Sequence, residues 1–201
     1  MENTAAIILS AGNSSRLGKP KQLLKYKGKT LIERAILTAQ NTGFHPIIVV
    51  TGAYKNEIEQ QISHLGTVIV ENPDWKLGMG TSVSLGIKML QKSAKAKLAL
   101  IMLSDQPFVE KKHLDELIRV KNQHEKKIVA SLYKNRLGVP VLFDQSCFAS
   151  LEKLKGPEGA RKIINSEDDH TASVPFDLGN IDIDTLKDYE ALLAGNLAHF
   201  D

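Results

Sequence analysis

A loop of small and basic residues follows the first apolar run of the chain. Residues 9–24 read LSAGNSSRLGKPKQLL. Gly12 and Gly18 permit tight backbone geometry, and the small residues between them expose N–H groups that can hold phosphate oxygens. Arg16 and Lys21 add positive charge where a triphosphate would lie. The loop therefore predicts a nucleoside triphosphate site, with a flexible basic surface loop as the alternative. The nucleotide-binding residues expected here are Leu9, Ser10, Ala11, Gly12, Asn13, Ser14, Ser15 and Gly18.

Two better-known phosphate loops do not fit this spacing. A P-loop has four residues between its first glycine and Gly-Lys, followed by Ser or Thr for Mg²⁺. Here five residues separate Gly12 from Gly18, and Pro20 occupies the hydroxyl position. The dinucleotide fingerprint G-x-G-x-x-G is also absent after the first run, and Gly78-Met79-Gly80 lacks the third glycine. The spacing excludes both classes.

Asp105 stands just after an apolar run and two residues before Pro107. A carboxylate at the tip of a strand in a phosphate cleft suits Mg²⁺, which takes one or two carboxylates together with phosphate oxygens. The alternative role is capping the next helix. Asp182 and Asp184 straddle Ile183, so an extended backbone would point both to one face. Either of these two could instead cap the last helix.

Two further segments begin predicted helices. At Gly80, Thr81 and Ser82, free N–H groups and hydroxyls suit an anion or the edge of a nucleobase, with an ordinary cap as the alternative. The segment GPEGAR, residues 156–161, has proline near a first helical turn. Arg161 there offers a bidentate phosphate partner for an acceptor substrate, or is simply solvated. The run Glu-Asp-Asp-His at residues 167–170 offers metal-ligand residue types, but it indicates a solvated turn, because consecutive residues do not easily converge on one ion.

Short aliphatic runs alternate with helical patterns along the chain. Strands are predicted at residues 5–9, 46–51, 67–70, 98–103, 127–133, 139–143, 172–176 and 180–183. Helices are predicted from a capping box at Thr30 to Gly43, then at 54–65, 81–90, 110–123 and 185–193, with two more after Phe143. This alternation predicts an α/β protein, a three-layer α/β/α Rossmann-like sandwich with a mainly parallel mixed sheet, as one domain over residues 1–201. Ligands bind beyond the carboxyl ends of such strands, so the loops after Leu9, Val70, Leu103 and Ile183 should converge.

Composition narrows the possible partners. The chain of 201 residues has a formal charge of +3, 42% hydrophobic and 5% aromatic residues, with its lysines dispersed. This argues against nucleic acid and favours a small anionic substrate. No apolar run reaches the 18 residues of a membrane span, and the start lacks a basic signal region, so we expect a cytoplasmic protein. The single Cys147 excludes an intrachain disulfide and a four-cysteine zinc site.

The loop at 9–24 resembles the signature of the nucleotidyltransferases related to molybdenum cofactor synthesis, LAAG-x-S-x-R-x-G-x-x-K-x-LL, departing from it at Ser10. Further segments follow in the order of that family. They are NPDWKLGMGTSVSLGI (72–87), SDQPFV (104–109), GVPVLF (138–143), GPEGARKII (156–164) and DIDTLKDYEAL (182–192). The pattern is similar to that of the molybdenum cofactor cytidylyltransferases, whose fold is of the nucleotide-diphospho-sugar transferase type.

The resemblance implies roles for individual residues. It assigns Asp105 to Mg²⁺ together with a second carboxylate, for which Asp184 is preferred over Asp182. It brings Gly80, Thr81 and Ser82 to the base and ribose, and adds Gln106 to the nucleotide site. The acceptor-binding residues that it implies are Gly138, Pro140, Gly159 and Arg161. Relatives commonly carry histidine where this chain has Val139, whereas Ala11 and Pro20 resemble the cytidylyl branch and favour CTP.

The predicted reaction is attack by a terminal phosphate of the acceptor on the α-phosphorus of the nucleotide, releasing pyrophosphate. Arg16, Lys21 and Asp105 are the expected catalytic residues. Molybdopterin as acceptor follows from the resemblance alone, as does a transient contact with a molybdoenzyme or its chaperone. The alternatives are a nucleotidyltransferase acting on a sugar phosphate, a polyol phosphate or phosphocholine, and a non-catalytic nucleotide-binding regulator.

Overall fold

The computed structural model of the chain describes residues 4–93 and 95–200. The strands are β1 (Thr4–Ser10), β2 (Lys25–Tyr26), β3 (Lys29–Thr30), β4 (Ile47–Thr51), β5 (Val68–Glu71), β6 (Leu98–Leu103), β7 (Ile128–Tyr133), β8 (Arg136–Asp144) and β9 (Thr171–Pro175). The helices are α1 (Leu31–Thr42), α2 (Lys55–Ile62), α3 (Met79–Ser93), α4 (Lys111–Gln123), α5 (Phe148–Glu152), α6 (Arg161–Ser166) and α7 (Leu186–Ala194). Within the described ranges, no helix is long and apolar enough to cross a membrane.

Seven of these strands form one sheet in the order β5-β4-β1-β6-β8-β7-β9, and β2 pairs with β3 in a separate short hairpin. The pairings among β5, β4, β1 and β6 are parallel, as is that of β7 with β9. Only β8 runs against its neighbours in the sheet. The sheet is therefore mixed and mainly parallel, which confirms the predicted fold class.

Every residue of β1 is buried, because helices cover both faces of the sheet. Successive side chains of a strand point to opposite faces. Ala6 and Ile8 accordingly belong to one large hydrophobic cluster, whereas Ala5, Ile7 and Leu9 belong to another. The continuous aliphatic run in the sequence is thus the signature of a strand buried on two sides.

The capping signals in the sequence begin and end α1 as predicted. Thr30 accepts a hydrogen bond from the Glu33 N–H, and the Glu33 carboxylate accepts one from the Thr30 N–H at 2.7 Å. The helix ends at Gly43, whose left-handed φ of 92° suits glycine. On the other face of the sheet, Gly86 lets α3 approach closely, since a Cβ there would lie 2.6 Å from a methyl carbon of Ile7.

One predicted strand does not form. Residues 180–183 begin at the end of a short 3₁₀ turn, Asp177–Asn180. They pair with no strand in the described structure. The alternation that suggested a strand is nevertheless real, because Ile181 and Ile183 are buried in a third cluster with Leu24, Leu31 and Leu192. Burial at every second residue here comes from that cluster and not from a sheet.

Parallel β1, β4, β5 and β6 end at the same edge of the sheet. Beyond this edge lie the loop after β1, the segment leading into α3, and Asp105. Residues 182–184 join them, since Asp184 forms ion pairs with Arg16 and Lys21 of the loop. The predicted convergence of four segments is therefore present.

Candidate active site

Two adjoining cavities open at this edge. The smaller, of about 220 Å³, is lined by the loop after β1, by Trp75 and Ser82, and by Asp105 after β6. The larger, of about 580 Å³, is lined by the β7–β8 hairpin, by residues near the start of α6, and by Asp182. Leu9, Met79 and Leu103 line both. The chain thus builds a two-part cleft whose halves share a wall.

The loop after β1 is held in a tight turn by its own backbone. The carbonyl of Ser14 accepts hydrogen bonds from the N–H groups of Leu17 and Gly18, at 2.9 and 3.1 Å. Ser14 and Gly18 both have left-handed backbones, with φ of 48° and 71°. The Ser14 hydroxyl oxygen also accepts from the Lys21 N–H at 3.1 Å. The loop is therefore folded before any ligand arrives, with Ser10, Ala11 and Gly12 facing the smaller cavity.

Gln22 supports the backbone of this loop, a role that was not predicted from the sequence. Its side chain is 1% exposed, and its Nε2 donates to the carbonyl oxygens of Gly12 at 3.1 Å and Ser10 at 3.4 Å. The Ser104 hydroxyl also holds the base of the loop, since its one hydrogen lies between two acceptors, the Leu9 carbonyl oxygen at 3.3 Å and the Ser10 hydroxyl oxygen at 3.2 Å. A glutamine between Lys21 and Leu23 carries no signal of burial, because its partners are backbone carbonyls that only the fold brings near.

Lys21 is the centre of a charged cluster. Its Nζ lies 2.5 Å from Asp105 Oδ2 and 2.7 Å from Asp184 Oδ1, and Arg16 forms an ion pair with the other oxygen of Asp184. Burial alone would lower the pKa of Lys21, but the two carboxylates outweigh it and the net pKa is raised. Lys21 is therefore a fixed positive charge, and the three predicted catalytic residues do lie together.

Asp182 lines the larger cavity and is exposed to solvent. Partial removal from water raises the pKa of its carboxyl to about 7. The negative charge of Asp105 adds to this rise, the positive charge of Lys21 opposes it, and Asp184 contributes a smaller increase. Asp182 and Asp184 therefore occupy different parts of the cleft, with Asp184 in the charged cluster and Asp182 in the lining of the larger cavity.

A divalent cation fits the carboxylates. Asp105 is 8% exposed, and its Oδ1 is buried with no hydrogen-bond partner in the described part of the chain, so one strong acceptor is left for a ligand. Carboxylate oxygens are the ligands that Mg²⁺ and similar hard cations prefer. Among the described residues, no three His, Cys, Asp or Glu side chains form a ready metal cage. The arrangement matches a cation held by one or two carboxylates together with substrate phosphates.

The segment at the start of α3 is more heavily hydrogen bonded than the sequence predicted. The Gly80 N–H donates to the Gly156 carbonyl at 2.8 Å, and the Thr81 N–H to the Gly78 carbonyl at 3.2 Å. The Thr81 hydroxyl donates to the Gly78 carbonyl, and Asn72 Nδ2 donates to both Thr81 and Ser82. Gly80 and Thr81 therefore use their N–H groups within the protein, and Ser82 alone of the three lines the smaller cavity.

Gln106 also serves the protein itself. It is 7% exposed, and its Nε2 donates to the carbonyl oxygens of Gly179 at 2.8 Å and Val139 at 3.3 Å. These bonds tie together two segments that flank the larger cavity. Gln106 lines neither cavity, so its predicted contact with nucleotide stays a prediction, whereas its support of these two segments is seen directly. Asn13 and Ser15, on the exposed side of the loop, also lie outside both linings.

Of the four predicted acceptor residues, Gly138 and Arg161 line the larger cavity. A Cβ at Gly138 would lie 2.1 Å from the hydroxyl oxygen of Tyr133, so a side chain there would force the Tyr133 ring to move. A Cβ at Gly159 would lie 3.0 Å from Met79 Sδ, and Gly159 stands behind the cavity wall. Sequence reasoning missed Tyr133, Lys134 and Arg136 of the hairpin, which complete this wall.

Pro140 is buried outside the cavity, within a hydrogen-bonded chain. The Ser131 hydroxyl donates to the Pro140 carbonyl at 2.6 Å, and Ser131 Oγ lies 2.7 Å from His113 Nε2. The serine hydrogen is thus used, so His113 donates through Nε2–H. His113 stacks on Phe176 with ring centroids 4.2 Å apart, and burial lowers its pKa to about 4. The ring is therefore neutral at physiological pH.

Known proteins resemble this chain along most of its length. The family model described as the MobA-like NTP transferase domain matches residues 6–172. The purine catabolism protein PucB of Bacillus subtilis is 28% identical over 198 residues, covering 92% of this chain and 93% of PucB.

Among solved structures, Rv0371c from Mycobacterium tuberculosis superposes with a TM-score of 0.82 at 28% identity, covering 96% of this chain and 98% of that one. A manganese complex of Rv0371c gives 0.79 at 27% identity with the same coverage, so a divalent metal binds in a protein of this fold. By the match over residues 6–172, the chain belongs to the MobA-like NTP transferase family of nucleotidyltransferases.

Proposed function

We propose that this protein transfers a nucleoside monophosphate, CMP from CTP, to the terminal phosphate of molybdopterin and releases pyrophosphate. The observation that supports it best is the two-part cleft. The charged cluster of Lys21, Asp105 and Asp184 borders the smaller cavity, while Asp182 and Arg161 line the larger one. A triphosphate in the first and an acceptor in the second would meet beside the shared wall.

The reaction needs no histidine or serine nucleophile. A phosphate monoester is already ionised near neutral pH, so the acceptor supplies its own nucleophile. Lys21 and Arg16 neutralise the charge that develops on the departing pyrophosphate, and their fixed positions mean that little rearrangement is needed. Asp105 and Asp184, with Asp182 as the alternative second ligand, would hold Mg²⁺, which supplies charge stabilisation on the phosphate oxygens when it is bound.

The walls of the larger cavity suit a phosphorylated acceptor with an apolar body. Ile101, Leu137 and Val139 contribute apolar surface, whereas Arg136 and Arg161 carry positive charge. Arginine recognises phosphate through two parallel hydrogen bonds. Molybdopterin, a sugar phosphate, a polyol phosphate and phosphocholine all satisfy this description in part, and the sequence resemblance favours molybdopterin among them.

The preference for CTP comes from Ala11 and Pro20 of the loop, which resemble the cytidylyl branch of the family. Ala11 is 7% exposed and lines the smaller cavity. A cytoplasmic location and a passing contact with a molybdoenzyme or its chaperone belong to the same proposal, because a modified cofactor must be delivered to the enzyme that uses it.

The test is release of pyrophosphate by the purified protein with Mg²⁺, each of the four nucleoside triphosphates, and molybdenum cofactor, a sugar phosphate, a polyol phosphate or phosphocholine as acceptor. Turnover only with CTP and molybdenum cofactor is expected. Turnover with GTP alone would contradict the base assignment, and turnover with another acceptor would establish the alternative transferase. Binding of nucleotide without pyrophosphate release for any acceptor would favour a regulator.

A further inference from the structure

Trp75 is the one tryptophan of the chain. The three hydrophobic clusters formed by the described residues do not include it. It is half-buried in the segment between β5 and α3, and it lines the smaller cavity beside the loop after β1. A large aromatic ring that lies outside the core and lines a cavity is well suited to binding a ligand there.

The order of the strands separates Trp75 from the charged cluster. Trp75 follows β5, the loop follows β1, and Asp105 follows β6, in a sheet ordered β5-β4-β1-β6. Three spacings between neighbouring strands span roughly 14 Å. Phosphates placed on the loop next to Lys21 and Asp105 therefore leave the nucleoside end of the ligand toward Trp75.

Contacts on both sides hold the backbone of Trp75 in place. A Cβ at Gly52 would lie 2.9 Å from the Cβ of Trp75 and 2.6 Å from the Ala11 carbonyl, so Trp75 packs directly against the end of β4. The Gly78 N–H donates to the Trp75 carbonyl at 3.2 Å. Asn72 Oδ1 accepts from the Asp74 N–H at 3.0 Å. The ring therefore projects from a short segment fixed at both ends.

We propose that the indole of Trp75 is the stacking surface for the nucleobase of the bound triphosphate. The inference rests on the proposed function only in taking a nucleoside triphosphate as the ligand. An aromatic face accepts any base, because every base has a π-face. Trp75 accordingly supplies affinity, and the choice of base is left to polar groups of the cavity.

Because Trp75 is the one tryptophan, its fluorescence reports on this contact directly. Titration of the purified wild-type protein with CTP and with GTP in Mg²⁺ should change the emission along the same binding curve that isothermal titration calorimetry gives. Replacing Trp75→Leu should weaken CTP and GTP binding in calorimetry by similar factors, about 5- to 150-fold for a lost base–aromatic stack. Trp75→Phe should restore part of this affinity.

Inorganic tripolyphosphate separates stacking from support of the phosphate loop. It has no base, so its affinity should be the same in wild type and Trp75→Leu. A matched control is Leu77→Ala, because Leu77 belongs to the same segment, is 64% exposed and lines neither cavity. This variant should bind CTP as wild type does.

The outcomes separate the inference from the proposed function. CTP binding in calorimetry that is unchanged in Trp75→Leu would overturn the stacking role and leave the transferase proposal intact. Equal losses for CTP and tripolyphosphate would also overturn it, since Trp75 would then support the loop. No binding of any triphosphate to the wild type would overturn both.

Discussion

Replacing Lys21→Met tests the charged cluster, because methionine keeps much of the length and none of the charge. Lys21 and Arg16 form ion pairs with Asp105 and Asp184, so the formal charge of these four side chains falls from 0 to −1 when Lys21 is replaced. The side chains of Lys21 and Asp105 are 15% and 12% exposed. Their ion pair therefore stabilises the fold more than a surface pair does, although water still reaches it in part. We expect a loss of ~1–3 kcal/mol in the free energy of unfolding.

For a chain of this size that loss corresponds to a fall of roughly 2–12 °C in Tm. Mg²⁺ should restore Tm more strongly in Lys21→Met than in wild type, since the ion replaces the missing positive charge. Turnover should fall by ~10²–10³, the usual effect of losing one preorganised contact to developing charge. Thermal melts with and without Mg²⁺, and pyrophosphate release under saturating nucleotide, measure these effects.

Lys19→Met is the matched control, since Lys19 is an exposed lysine of the same loop. Its Nζ lies over the ring of Tyr189 at 5.9 Å, away from the carboxylates. It should melt and react nearly as wild type does. A Lys21→Met protein with wild-type Tm, no added response to Mg²⁺ and turnover within a few-fold of wild type would refute the reasoning.

The lowered pKa of His113 predicts that the folded protein loses stability in acid. The imidazole takes up a proton near pH 6.5 in the unfolded chain but only near pH 4 in the folded one, so the free energy of unfolding falls as the pH drops from 6.5 to 4. Between pH 7.5 and 5, wild type should lose up to ~2 kcal/mol more unfolding free energy than His113→Gln in urea titrations, and equal losses would exclude this ring as the cause. Gly138→Ala should cost ~1–3 kcal/mol by overpacking against Tyr133. The same substitution made in a Tyr133→Phe background should cost less, and an unchanged cost would show that the hydroxyl is not the obstacle.

Local signals predicted most of the fold. The capping box at Thr30 and the glycine at 43 delimit α1 because both act within a few residues of themselves. The aliphatic run of β1 predicted a strand buried on both faces, because successive side chains point to opposite faces and all of them are apolar. The proximity of Lys21 and Asp105 was predictable for a different reason, since parallel pairing brings the ends of β1 and β6 together.

Distant backbone partners explain what the sequence could not predict. Gly80 has an N–H that suits an anion at the start of a helix, but the Gly156 carbonyl takes it. Gln22 and Gln106 look like surface residues, yet both are buried because carbonyl oxygens elsewhere in the chain accept their amide hydrogens. The false strand at 180–183 has a different origin, since Ile181 and Ile183 alternate because both are buried in a side-chain cluster with Leu24, Leu31 and Leu192 and not because they belong to a sheet.

The contact between Gly80 and the loop at residues 155–157 bears on how this scaffold can change its acceptor. Cβ atoms at Gly78 and Gly80 would lie 2.5 and 2.9 Å from backbone atoms of Gly156, so this side of the cleft is main chain against main chain. A side chain added at Gly78 or Gly80 would displace the backbone of residues 155–157, where Pro157 lines the larger cavity. Tyr133 on the opposite hairpin is also packed closely, against Gly138 and Gly179. Arg136 of that hairpin is an exposed side chain that lines the larger cavity. Under the proposed function, a change of acceptor is therefore expected to involve Arg136 before the glycine-lined side of the cleft.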